Sequence, residues 1–229
     1  MKANTRKRRG FTLIEMLVVI VIIGILATAS MPVYSGIQER AKRTKDVNNI
    51  KQVVLGCRTF AADWDGLYPS FDPEDDSGDS EFSSSYEAFN VLIPEYIDTE
   101  IVFWIQTKDP DRLRPPKDDG ELESEECTYA YVSGQTDTSY SRSPLVADGL
   151  MDGPGEYGEF HPWLAKKIAV VGYCGGQVVE EKLNSNQPGA TVRIIGSTDN
   201  IFEERETDED GKSSGGFLSV SQDNVLLPD

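Results

Sequence analysis

A chain of 229 residues with 38% apolar content can bury one sizeable core and is too short for more than two small domains. Its formal charge is −17, and from Asp63 onward 36 acidic side chains stand against 11 basic ones, a surface that repels phosphate backbones and makes nucleic acid an unexpected partner. Three cysteines, Cys57, Cys127 and Cys174, are too widely spaced for a C-x-x-C zinc pattern.

The first ten residues carry Lys2, Arg6, Lys7, Arg8 and Arg9 and no acid. An apolar run follows, and from Met16 to Gln38 no side chain is ionised. Phe11 to Met31 spans about 32 Å as a helix, enough to cross a bilayer core. The basic leader belongs on the cytoplasmic side, although Arg40, Lys42, Arg43 and Lys45 follow the run at its other end. Three readings fit. Ala27-Thr28-Ala29 offers a small-x-small site for a secretory signal; the run is an uncleaved anchor; or a leader is cut between Gly10 and Phe11 and the run stays on the mature chain. Glu15 separates them. A carboxylate in a lipid-spanning segment costs a few kcal/mol and is usually paired. In a disposable signal or a plain anchor it is cost alone. Cutting after Gly10 creates an α-amino group on Phe11, and one subunit's amine then meets the next subunit's Glu15.

The stretch RGFTLIEMLVVIVIIGILA resembles the class III leader of type IV pilins and type II secretion pseudopilins, with Gly10, Phe11 and Glu15 in the motif positions and Thr12, Leu13 and Ile14 also matching. The resemblance implies cleavage by a membrane-embedded prepilin peptidase, N-methylation of Phe11, and assembly through Phe11, Glu15 and the Gly24-to-Pro32 stretch. Pro32 on its own reads equally as a kink where the helix leaves the bilayer.

Beyond it, Val47, Ile50, Val54, Cys57, Ala61 and Trp64 recur at helical spacing, widened by Val53 and Phe60, so one face packs on a sheet or, as the lesser option, on a partner helix. Gly66 and Pro69 stop the helix. Arg40 to Lys45 meets anionic headgroups, acids on a neighbouring subunit, or only water.

Asp72 to Ser85 reads as an acidic loop, Tyr86 to Ile93 as a short helix and Ile101 to Gln106 as a strand. A charged loop leads to strands at CTYAYVS, SPLVAD, KIAVVGY, QVVEEK and ATVRIIG, with GGFLSV as a last edge strand. Cys174-Gly175-Gly176 suits a tight hairpin turn. The expected fold is α+β and pilin-like, a long N-terminal α-helix, transmembrane in its first half, packed on an antiparallel sheet of about four to six strands. The expected divisions are 1–10 (leader), 11–31 (membrane and filament core), 32–66 (amphipathic continuation) and 67–229 (acidic globular domain). Within the last, Asp63 to Lys182 resembles a pseudopilin-like group through Asp63-Trp64-Asp65-Gly66-Leu67-Tyr68-Pro69, Leu92 to Phe103, Ala147-Asp148-Gly149, His161 and the hairpin Val170 to Val178. The hairpin departs from that group's pattern, with Cys174-Gly175-Gly176 in place of an Asp-Gly turn. Residues 185–229 carry no resemblance.

Chemistry is sparsely encoded. His161 is the lone histidine, and no nucleophile motif accompanies it or Asp148, so it reads as structural or surface-exposed and the chain as no enzyme. There is no phosphate loop or dinucleotide fingerprint. Glu206, Asp208 and Asp210 alternate before Gly211 like the first half of an EF-hand loop, but Phe217 stands where the loop needs Glu. Calcium there, favoured by its commonness near the C-terminal loops of major type II pseudopilins, competes with a solvated acidic loop; no other cofactor is expected. Cys127 and Cys174 form a disulfide in an oxidising compartment or are buried as small apolar groups. The resemblance implies a structural subunit of a type II secretion pseudopilus or a type IV pilus-like filament, anchored in the inner membrane with its N-terminus cytoplasmic and its domain periplasmic. Its partners are further copies, other pseudopilins, the peptidase and an inner-membrane assembly platform. The rival is a membrane-tethered periplasmic binding or enzymatic domain that never polymerises.

Overall fold

The computed structural model describes residues 11–73, 82–107, 109–112, 114–149, 151–207 and 213–228. Helix α1 runs Leu13–Asp63, and the chain divides into two compact units between Arg43 and Thr44.

In the first unit, Leu13–Ser30 has a mean hydropathy of 2.6 and is 0% buried. It is long and apolar enough to cross a membrane. Ile20, Ile23 and Ile25 are each about 60% exposed, a surface that needs lipid or protein to cover it.

In the second unit, α1 buries Ile50, Val53, Val54, Cys57, Phe60 and Ala61 completely or nearly so, the stripe read from the spacing. It ends where Asp65 and Gly66 adopt left-handed backbone and Gly66 N–H returns to Ala61 O at 2.8 Å. Helix α2 (Ser85–Asn90) starts where Glu87 Oε2 reaches back to accept from Ser83 N–H at 2.7 Å and Ser84 N–H at 3.2 Å. Strands β1 (Ala130–Val132), β2 (Pro144–Ala147), β3 (Met151–Gly153), β4 (Glu156–Tyr157), β5 (Ile168–Tyr173), β6 (Val178–Lys182), β7 (Arg205–Thr207), β8 (Ser213–Gly215) and β9 (Val225–Leu226) follow. Five of them form an antiparallel sheet in the order β6-β5-β2-β1-β9, while β3–β4 and β7–β8 are separate two-stranded ribbons. The central register aligns Tyr131 with Val146 and Val146 with Gly172. The β5–β6 hairpin turns at Cys174-Gly175-Gly176 as expected, with Gly176 at φ +84°.

The sheet is buried on both faces. Tyr131, Val170 and Leu226 face the cluster containing α1. Ala130, Val132, Ala169, Val171, Tyr173 and Val225 face a second cluster with Tyr157, Leu183, Val192, Ile201, Phe202 and Leu218. The C-terminal third therefore covers the face that α1 leaves bare. This explains why β2 and β5 read as unbroken apolar runs, the pattern of strands with no wet side. Gly172 sets how closely helix and sheet approach, since a Cβ there would lie 2.6 Å from Val54 Cγ2 and 2.8 Å from Ile50 Cγ2.

Three expected strands are absent. Ile101–Gln106 opens instead with a 3-10 turn, Glu100–Phe103. Buried Glu100 turns inward to accept from Asp118 N–H at 2.8 Å and from Gly120 N–H, and Ile105 N–H bonds Thr128 Oγ1 at 2.9 Å in place of a ladder partner. ATVRIIG makes only isolated bridges, Tyr157 with Ala190, Leu183 with Val192 and Arg193 with Asn200, because Ala190, Val192 and Ile194 serve the second cluster. GGFLSV contributes Gly215 to β8, while Leu218 packs inward; the edge strand beside β1 is β9. Arg112 holds that end of the chain, donating to Pro228 O (3.0 Å), Cys127 O (3.1 Å) and Asp109 Oδ2 (2.8 Å).

Candidate assembly site

The start of α1 carries the chemistry. Thr12 precedes the helix, and its backbone N–H and hydroxyl both donate to Glu15 Oε2, at 2.8 and 2.7 Å. Glu15 N–H returns to Thr12 Oγ1 at 3.3 Å. This is a reciprocal capping box in a T-x-x-E sequence, which satisfies amides that a helix start leaves open. Glu15 is thus not cost alone in a single chain, contrary to the reading from composition. The signal was present as Thr12-Leu13-Ile14-Glu15. Among the described residues both Thr12 contacts fall on Oε2, and Oε1 accepts no hydrogen bond. Phe11 is 75% exposed beside this carboxylate. Gly10 lies outside the described residues. Pro32 lies within the bounds of α1.

The other candidates scatter. Cys127 and Cys174 are not joined, and with Cys57 they are buried free thiols. Cys127 precedes β1 and Cys174 follows β5. These strands are separated by β2, and the register puts the two cysteines toward opposite ends of the sheet, beyond the roughly 7 Å that a disulfide spans. Cys127 Sγ contacts Ser85 Oγ and Tyr129 O at 3.6 Å, and Cys174 Sγ lies 3.2 Å from Gln135 Oε1. Burial pushes the Cys127 thiol up to about 11 and the Cys174 thiol up to about 12. Little thiolate forms in the folded chain at neutral pH. Maleimide labelling of all three cysteines is therefore expected only after denaturation; rapid labelling of the native chain would contradict this packing.

His161 is 2% exposed and structural. Its Nε2 meets Ile168 O at 2.8 Å, so that nitrogen carries the proton, and its ring lies 4.7 Å from Tyr157. Gly149 makes room for it, since a Cβ at Gly149 would fall 2.1 Å from Nδ1. Asp148 is equally buried and accepts from Val170 N–H at 2.7 Å. Glu206 is exposed on β7, opposite Ser214; Asp208 and Asp210 lie outside the described residues. Among the described residues no three His, Cys, Asp or Glu side chains gather as metal ligands. The sequence reading missed Asp46, which is fully buried and bonded to Tyr129 and Trp163. An acid four residues before Ile50, on the apolar face of α1, was its signal.

Residues 5–31 match the prokaryotic N-terminal methylation motif. The chain is 52% identical over 46 residues to the type II secretion system core protein G of Escherichia coli, covering 20% of this chain and 32% of that one. It is 37% identical over 59 residues to the type IV major pilin protein PilA of Myxococcus xanthus, 26% of this chain and 27% of that one. A fimbrial protein of Pseudomonas aeruginosa is 30% identical over 80 residues, 35% of this chain and 52% of that one. The chain thus spans between about a quarter and a half of the relatives it matches. No solved structure matches it significantly.

Proposed function

We propose that this chain, which carries the N-terminal segment common to type IV pilins and type II secretion pseudopilins, is a structural subunit of a pilus-like filament, cut after Gly10 and assembled through α1. The supporting observation is the state of Glu15. It sits on a bare apolar helix, beside Phe11, with Oε2 taken by the cap and Oε1 free of a partner among the described residues. The ammonium created on Phe11 of a neighbouring copy fits that second oxygen, and the pair neutralises two charges that lipid disfavours singly. Phe11 to about Met31 anchors the subunit in the inner membrane, with the basic leader cytoplasmic and the acidic domain periplasmic. Prepilin peptidase, an inner-membrane platform and other pseudopilins are its partners. Pro32 loosens the helix on assembly.

A secretion pseudopilus is preferred to a surface pilus on the Asp63 to Lys182 resemblance, an argument by analogy. Sequencing the mature N-terminus tests the reading. Phe11, methylated, is expected. A start at Ser30 would mean a secretory signal and Met1 a plain anchor, and either overturns it. A tethered domain that never polymerises would tolerate neutralising Glu15.

A further inference from the structure

Two carboxyl groups meet in the interior of the second unit. Asp46 projects from α1 and Asp148 from the end of β2, and both are 0% exposed. Tyr129 Oη and Trp163 Nε1 donate to Asp46 Oδ1 and Oδ2, each at 2.9 Å. Val170 N–H donates to Asp148 Oδ1 at 2.7 Å. Asp148 Oδ2 receives no donor from a protein N–H or O–H. The pairing of Ala130 with Ala147 sets Asp148 across from Tyr129, whose hydroxyl holds Asp46, so the two buried carboxyls come together and each acts on the other. Two acceptors in contact need a proton between them, because like charges this close in a low-dielectric interior do not both ionise.

We propose that Asp46 and Asp148 form a one-proton clasp joining α1 to the sheet, closed in mild acid and weakened as the solution becomes alkaline. It is independent of how the N-terminus is processed.

Every element around the pair bears on its charge. Tyr129, ahead of β1, and Tyr157, on β4, are held neutral far beyond neutrality by burial. Glu180 on β6 acts on Asp46 with the same sign, and Glu181 reaches Tyr173 Oη at 2.7 Å. His161, beside Gly149, is uncharged at neutral pH. Burial lifts Asp46 to about 6 and Asp148 well above the usual carboxylate range, while hydrogen bonds from Trp163 and Tyr129 pull Asp46 back. The folded state therefore binds a proton that the unfolded chain has released. The contribution is full below the ordinary carboxylate value and is lost as pH climbs past the folded values. His161 works in the opposite sense. Burial lowers it to about 4, so its contribution is full above its ordinary value and is lost as pH falls toward 4.

The test is thermal unfolding of the full chain in detergent, between about pH 5 and 8, in about 0.5 M salt so that general surface repulsion is screened. The wild-type midpoint is expected to fall on the order of 5 °C across that range relative to Asp46→Asn. Asparagine accepts from only one of Tyr129 and Trp163, a loss that lowers its midpoint alike at every pH, but it carries no proton to lose, and the His161 contribution is common to both chains and cancels. Asp148→Asn keeps an acceptor for Val170 N–H and supplies a donor to Asp46, so it is expected to flatten the profile likewise. Profiles of either variant parallel to the wild type would overturn the clasp. If neither variant folds, the wild type decides above about pH 6.5, where His161 is silent. There a midpoint that stays level or rises sinks the proposal, and one that falls supports it.

Discussion

Glu15→Gln is expected to lower incorporation into filaments by more than about a hundredfold, the consequence of leaving a buried ammonium without its anion. The substitution discriminates because glutamine also closes a capping box. Its side-chain oxygen still accepts from Thr12 N–H and Oγ1, so the start of α1 survives and only the charge is lost. Thr12→Ala does the reverse. It removes the cap, worth about 1 kcal/mol, and leaves the carboxylate, so assembly should fall only slightly. Glu15→Ala should match Glu15→Gln. The readout is the ratio of subunit in sheared filaments to subunit held in the membrane. Normal assembly of Glu15→Gln, with failure of Thr12→Ala and Glu15→Ala, would reduce Glu15 to a helix cap.

Gly172→Val should cost about 3 kcal/mol and lower the thermal midpoint of the chain by roughly 10 °C. The added methyls meet Ile50 and Val54, whose carbons already stand 2.6 to 2.8 Å from the Cβ position. Both belong to a helix seated on the sheet, so no flexible side-chain end is available to move aside. Val179→Thr on neighbouring β6, at a side chain 38% exposed, serves as the control and should shift the midpoint by no more than about 2 °C. A Gly172→Val chain as stable as wild type would mean that α1 sits further from the sheet than described.

Both substitutions probe α1, and both were reachable from sequence to different degrees. Glu15 stands out in an apolar run whatever the fold. Its cap was legible as T-x-x-E, because a capping box is local and depends on four consecutive residues. The amphipathic stripe from Ile50 to Ala61 was legible for the same reason, as helical period alone selects its face. The β5–β6 hairpin followed from two apolar runs around Gly175-Gly176.

What escaped depends on contacts distant in sequence. Nothing local marks Gly172 as the residue on which Ile50 and Val54 rest. ATVRIIG and GGFLSV have strand composition, but tertiary packing uses their side chains to cover a sheet face rather than to extend its edge. Composition reports that a side chain is buried, not against what. Ile101 to Gln106 failed as a strand because Glu100 binds amides near residue 120, and Cys127 with Cys174 failed as a pair because strand order sets them apart.

From its residues alone this protein determined a membrane-competent helix, its cap, its lone acid and the helical face that meets the domain, since each is written within a turn or two of chain. Only the tertiary structure decided that the sheet is covered twice, that His161 is a packed interior group and that Asp46 meets Asp148. Those outcomes turn on which strands become neighbours, and pairing across 102 positions, from 46 to 148, leaves no periodic trace in sequence.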